Sequence, residues 1–134
     1  MKIKPYFEEL EINTVPLENL SFAHNSKMCL LVDDINEKRW KITFIGILSF
    51  KIISMDLGYN FNSIDFKDYH YCIDDCRCFH NYIFQIEESE LIKELKAENS
   101  LVLKELSVAK HFLIGLYDYQ IEVVAYDLKA ERIL

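Results

Sequence analysis

The chain has 134 residues, a formal net charge of −7, 51% hydrophobic and 13% aromatic residues, and only three glycines and two prolines. This length suits one domain spanning 1–134, and the scarcity of Gly and Pro argues against a low-complexity or disordered chain. The same scarcity argues against glycine-rich phosphate-binding loops, and the acidity against a surface that tracks nucleic-acid phosphates with clustered Lys and Arg.

The opening MKIKPYFEEL has no apolar stretch after its two lysines, so it does not read as a secretory signal. The longest apolar run, 42–53, is broken by Thr43, Gly46, Ser49 and Lys51. It falls short of the ~20 residues needed to span a bilayer. A soluble, cytoplasmic protein is expected, with no membrane association. Its four cysteines, Cys29, Cys72, Cys76 and Cys78, are then expected as reduced thiols.

Leu20, Phe22 and His24 alternate with Ser21, Ala23 and Asn25, which predicts a short strand. Residues 28–34 and 39–44 flank the polar connection 35–38 and predict a hairpin. In its second arm Trp40, Ile42 and Phe44 alternate with Arg39, Lys41 and Thr43, and the apolar phase resumes past Gly46 as Leu48, Phe50 and Ile52. One long strand is therefore expected, with Gly46 marking a bulge or bend. Residues 56–68 are polar, Asn-rich and acidic, and predict a long loop.

The spacing predicts a further strand over 79–86, followed by a helix near 90–98. Ser89 supplies the N-cap, Glu90 places a negative charge at the positive helix end, and Leu91, Ile92 and Leu95 share one face. A second hairpin is expected from 110–116 and 120–127 around Tyr117, Asp118 and Tyr119. Its return arm has apolar residues on both faces, which suits a central strand; 129–134 read as a turn or frayed end. Helices do not alternate with strands, so the expected fold is α+β and mainly β: an antiparallel sheet or β-sandwich built from hairpins, with one helix packed on it.

Within 69–80, His70, Cys72, Cys76, Cys78 and His80 are natural zinc ligands. All five have even parity, however, so on a strand they would form a row spaced by ~6.6–6.8 Å rather than converge on a point. Small buried thiols on a strand and turn are the simpler reading, and no metal or other cofactor is expected. A cysteine nucleophile with His24, His70, His80 or His111 as base has no flanking signature to support it. His111 reads as a strand-start histidine satisfied by backbone. Glu122, on a central strand, needs a partner, and Lys110 across the hairpin is the expected one. The acidic pairs Asp33–Asp34, Asp74–Asp75 and Glu87–Glu88 each point to opposite faces if extended, so no catalytic carboxylate couple is expected.

The charge is uneven. Residues 56–90 hold eight acids against two bases, whereas 38–55 hold four bases and no acid. Tyr59, Phe61, Phe66, Tyr69 and Tyr71 lie in or beside the acidic segment. Aromatic residues among acids suit a surface that grips a basic protein, although some could fold back on the core.

Three stretches, RWKITFIGILSFKIISMD (39–56), FQIEESELIKEL (84–95) and KHFLIGLYDYQIEVVAYD (110–127), occur in an order that resembles small bacterial proteins encoded beside secreted toxins. Some proteins of that kind look like the cognate immunity proteins of contact-dependent growth inhibition and polymorphic toxin systems. The resemblance covers about a third of the chain and carries no catalytic motif onto it. It implies a non-enzymatic protein whose partner is a cognate toxin, plausibly a basic nuclease. Asp65, Asp68, Asp74 and Asp75 would then stand in for substrate phosphates, and Tyr59, Phe61, Tyr69 and Tyr71 would anchor the contact. The alternative is a small-ligand or metal-binding domain using the Cys/His cluster at 70–80.

Overall fold

The computed structural model describes residues 2–13, 19–23, 27–54, 82–98, 107–116 and 119–133. These form one sheet of seven strands: β1 (Lys2–Pro5), β2 (Asn19–Ala23), β3 (Lys27–Asp33), β4 (Arg39–Ser54), β5 (Ile83–Glu87), β6 (Lys110–Gly115) and β7 (Tyr119–Ile133). Helix α1 (Glu90–Glu98) follows β5. Every pairing is antiparallel, in the order β1-β5-β6-β7-β4-β3-β2. The fold is thus mainly β, as the alternation in both hairpins predicted.

The hairpin of β3 and β4 shows why period-two patterning folds as it does. Met28, Leu30 and Val32 pair with Phe44, Ile42 and Trp40, and all but Trp40 are fully buried. The turn is built around Asp34. Its Oδ1 accepts the N–H groups of Asn36 and Lys38 at 2.8 and 2.9 Å, and its Oδ2 accepts Trp40 Nε1–H at 2.9 Å. Glu37 takes the left-handed conformation, φ 61°, that closes this turn. Burial pushes the Asp34 carboxyl up, but the Trp40 hydrogen bond, the Lys38 and Asn36 amides and the Arg132 charge outweigh it. The net shift is below the usual 3.8.

Three hydrogen bonds on one carboxylate make this turn sensitive. Asp34→Ala is expected to cost about 2–3 kcal/mol, because it strands donors in a closed turn. A depressed carboxylate contributes stability that is complete above its unfolded pKa and lost as pH falls through the lowered folded one. The difference in unfolding free energy between wild type and Asp34→Ala is therefore expected to hold near neutrality and shrink below pH 3.8. Urea titrations at pH 7 and at several acid values check this. A difference that grows on acidification would refute it.

The main core lies on one face. Met28 and Leu30 of β3, Ile42 and Phe44 of β4, Phe112 and Ile114 of β6 and Ile121 and Val123 of β7 belong to one buried cluster. Residues 6–13 run across this face. Tyr6 N–H donates to Ile83 O in β5, and the Tyr6 ring packs edge-on against Phe112 in β6, centroids 5.0 Å apart. The Tyr6 hydroxyl donates to Asp127 Oδ1 in β7 at 3.2 Å. Burial, then the Asp127 charge and that hydrogen bond, raise the Tyr6 phenol above its usual 10.0. Asn13 N–H finally reaches Asp33 O in β3. Leu10 and Ile12 from this strap join the core cluster.

On the β1-β5-β6-β7 side the opposite face is buried as well. Ile3, Phe84, Ile86, Leu113 and Val124 are at most 4% exposed, so the central part of β7 is apolar on both faces, as expected for an interior strand.

Several sequence readings need correction. β4 is one strand of 16 residues, but its apolar phase does not run through unbroken. Gly46 has φ 67°, and the register shifts between Ile47 and Ser49. These irregularities take the core contacts from Phe44 to Ile47 to Phe50 and leave Leu48 38% exposed. Two slips return the strand to even parity, which is why the two halves look continuous in sequence. Residues 129–133 are not a frayed end: Lys129 to Ile133 pair with Thr43 to Arg39. The strand β1 had no counterpart in the reading of the sequence.

Candidate functional site

Helix α1 begins where Glu88, at φ 54°, turns the chain out of β5. Ser89 then caps the helix, its Oγ accepting Ile92 N–H at 3.1 Å. This is the N-cap that the sequence predicted, and Glu90 pairs with Lys93 one turn on, at 3.4 Å. The cap does more than start a helix. Ser89 Oγ also lies 2.6 Å from His111 Nδ1, and His111 Nε2 lies 2.6 Å from Glu122 Oε1.

The sheet register assembles this chain. Ile86 pairs with His111, and His111 with Val124, so His111 and Glu122 are diagonal neighbours on the same face of β6 and β7. Ser89 reaches His111 from the far side of the β5 terminus. Ser89 is 5% and His111 2% exposed, and the Glu122 side chain is 14% exposed. An ionised Glu122 can only accept, so it takes Nε2–H. In that tautomer Nδ1 is the acceptor for the Ser89 hydroxyl.

Two expectations are corrected here. His111 is satisfied by two side chains rather than by backbone. Glu122 does not pair with Lys110, because Lys110 sits opposite Ala125, and Leu113 opposite Glu122. Lys110 and Glu122 therefore leave opposite faces, and the Lys110 ammonium donates instead to Tyr126 O at 3.2 Å.

Ser89 and His111 line an open cleft of about 350 Å³, together with Ile92, Lys93, Lys96 and Lys110. That size is at the small end for ligand sites. The chemistry available is a hydroxyl polarised by an imidazole that a carboxylate orients, at the positive end of a helix.

The opposite end of the sheet carries the attachment points of the acidic segment. Ile52, Ile121, Ile114 and Ile83 form one cross-strand row. The chain thus leaves the sheet just past Ile52 of β4 and re-enters at Ile83 of β5, both at the end that carries the β6–β7 connection. Gln120 pairs with Ile53 and Gly115 at this end. Its Oε1 is buried and has no hydrogen-bond partner among the described residues.

The residues predicted as the contact surface, Tyr59, Phe61, Asp65, Asp68, Tyr69, Tyr71, Asp74 and Asp75, lie outside the described residues, as do Phe66, Asp118, His24 and the cluster His70, Cys72, Cys76, Cys78 and His80. Among the described residues no group of three or more His, Cys, Asp or Glu side chains is placed to hold a metal ion. Cys29 is half-buried, with Thr43 Oγ1 3.8 Å from its Sγ. Among the described residues no helix is long and apolar enough to cross a membrane. No protein family, curated protein or solved structure matches the chain.

Proposed function

We propose that this chain is a bacterial, cytoplasmic binding protein of the immunity type, which neutralises a cognate toxin by covering its active site. The partner is a basic protein, a nuclease being the class that fits best. The observation that carries this reading is the concentration of acidic and aromatic residues in the sequence 56–75, which lies between Ser54 and Ile83, strand ends that share one end of the sheet. A segment tethered at both ends to packed strands presents its contact groups at a lower entropic cost than a free tail. Carboxylates from Asp65, Asp68, Asp74 and Asp75 would occupy the positions where a nuclease holds substrate phosphates. The rings of Tyr59, Phe61, Tyr69 and Tyr71 would supply the desolvated anchors. Opposite net charge speeds encounter with such a partner and makes the association sensitive to salt.

The test is co-purification of the tagged chain with the polypeptide encoded immediately upstream. A one-to-one complex that weakens with salt and abolishes the partner's toxicity is the expected result. Replacing Asp65, Asp68, Asp74 and Asp75 together with asparagine is expected to weaken that complex by about 100-fold or more. A neighbour that neither binds nor is toxic, or an affinity unchanged by the four substitutions, would remove the reading.

A further inference from the structure

The Ser89–His111–Glu122 chain lies at the other end of the sheet from Ser54 and Ile83, where β4 ends and β5 begins, and the binding reading does not use it. We infer that Ser89 is an acyl-accepting nucleophile and that the cleft it lines hydrolyses small carboxylic esters.

Three features carry this inference. The first is the directed hydrogen-bond chain. His111 Nε2 lies 2.6 Å from the Glu122 carboxylate, which accepts its proton, and with the ring proton on Nε2 the Ser89 hydroxyl, 2.6 Å from Nδ1, donates to it. A serine becomes a nucleophile when its proton has such a destination and the resulting imidazolium has a carboxylate behind it. The ring is used the other way round from the familiar serine proteases, with Nδ1 as base and Nε2 toward the carboxylate; the proton path is the same. The second is access. Ser89 and His111 both line the cleft, so the relay borders an opening of ligand size. The third is charge. Ser89 caps α1, so the positive end of the helix meets the cleft, and Lys93 and Lys96 line the same space. Negative charge developing on a carbonyl oxygen is favoured there. Glu87, which pairs with Lys4 at 2.9 Å, and Glu88 line it too.

The reaction balances without a co-reactant other than water. Ser89 Oγ bonds to the acyl carbon as its proton passes to His111 Nδ1. The tetrahedral adduct collapses, the C–O bond to the leaving alcohol breaks, and the departing alkoxide takes the proton from Nδ1. Water then attacks the acyl-serine, giving up its proton to Nδ1. The ester bond to Ser89 breaks, a carboxylic acid leaves, and Ser89 Oγ recovers the proton. Ser89 and His111 are the catalytic residues. Glu122 is a positioning residue, which fixes the tautomer and stabilises the imidazolium.

A purely structural account uses the same hydrogen bonds: Ser89 caps the helix and His111 pins the cap to the sheet. The two differ in reactivity, and the intact chain separates them. The folded protein is treated with a fluorophosphonate reporter and the adduct is located by peptide mass spectrometry, with the urea-unfolded chain as control. Expected is a single adduct on Ser89, formed about 100-fold faster in the folded protein, the lower end of what a positioned general base supplies. The rate should rise with pH and then level off. Glu122→Gln, shown by circular dichroism to keep its sheet, should slow labelling at least tenfold and change the shape of that pH profile. Because Ser89→Ala removes the cap and can unfold α1, the wild-type comparison decides. No adduct on Ser89 in the folded chain, labelling only at lysine or tyrosine, or equal rates in folded and unfolded chains would overturn the inference.

Discussion

Phe112→Ala is expected to remove about 3–5 kcal/mol of stability, the largest loss from any single side chain in the main core. Phe112 is fully buried and sits between two other rings. Phe44 approaches it edge-on with centroids 5.9 Å apart, and Tyr6 at 5.0 Å. Phe44 belongs to β4, Phe112 to β6, and Tyr6 to the strap that crosses the face. Truncation therefore opens a cavity at the point where sheet and strap meet and removes two favourable ring pairs. Domains of this size have only about 5–15 kcal/mol in total, so the variant should sit near the edge of folding. Phe112→Leu keeps most of the volume and should cost roughly 1–1.5 kcal/mol. Urea unfolding followed by tryptophan fluorescence gives both numbers, since Trp40 is the only tryptophan and packs against the same cluster. A loss below about 1 kcal/mol for alanine would mean that the strap does not seal this face.

Gly46→Ala is expected to cost about 2–5 kcal/mol, far more than the same exchange at an ordinary strand position. Two causes add. The backbone at φ 67° lies in the left-handed region, where a residue with a Cβ pays roughly 1–2 kcal/mol. A methyl group built there would also drive into the Tyr126 ring, with Cε2 at 2.7 Å. The ring occupies the space that the missing side chain leaves, and overpacking of this kind costs about 1–3 kcal/mol. A double-mutant cycle separates the causes. In a Tyr126→Ala background the clash is gone, and Gly46→Ala should cost only the conformational part, about 1–2 kcal/mol. Equal costs in both backgrounds would show that Tyr126 can move aside freely.

Both variants probe features that the amino-acid sequence exposes to different degrees. The hairpin around residues 34–38 was readable because each arm alternates strictly and one face is buried. Gly46 was readable as an irregularity, since a glycine inside a strong strand pattern needs a reason. The compensating slip near Leu48 was not, because two phase changes cancel in a parity count. The end of β7 was missed because Lys129, Glu131 and Arg132 are polar, and only their pairing with Thr43, Lys41 and Trp40 makes them a strand. The first strand was missed for a related reason: Lys2, Lys4 and Pro5 surround Ile3, whose 1% exposure comes from its pairing with Ile86.

The candidate site was legible residue by residue but not as a constellation. Ser89 was recognised as a cap, His111 as a strand-start histidine and Glu122 as a carboxylate in need of a partner. Joining them required the β5-β6-β7 register, which places residues separated by 22 and 11 positions within hydrogen-bond reach. Local patterning holds no information about a diagonal across two strands. The partner charge in sequence, Lys110, was the nearer choice and lay on the wrong face.

The order of the strands also governs when the fold can form during synthesis. β7, the last strand of the sheet to be made, lies in the fourth place of seven, with β6 on one side and β4 on the other. Until it is available, β4 has only β3 beside it, and β6 only β5. The nascent chain therefore holds two incomplete half-sheets whose open edges include the long apolar β4. Contacts this distant in sequence form slowly, and the waiting edges are prone to pair with other chains. β1 and β2 close the two outer edges, each by pairing with a strand made before β7, so the edges left open until the end are those of β4 and β6. Ribosome-bound chains halted before β7 should thus depend on chaperone shielding, and release of that last strand should be the event that commits the protein to its native state.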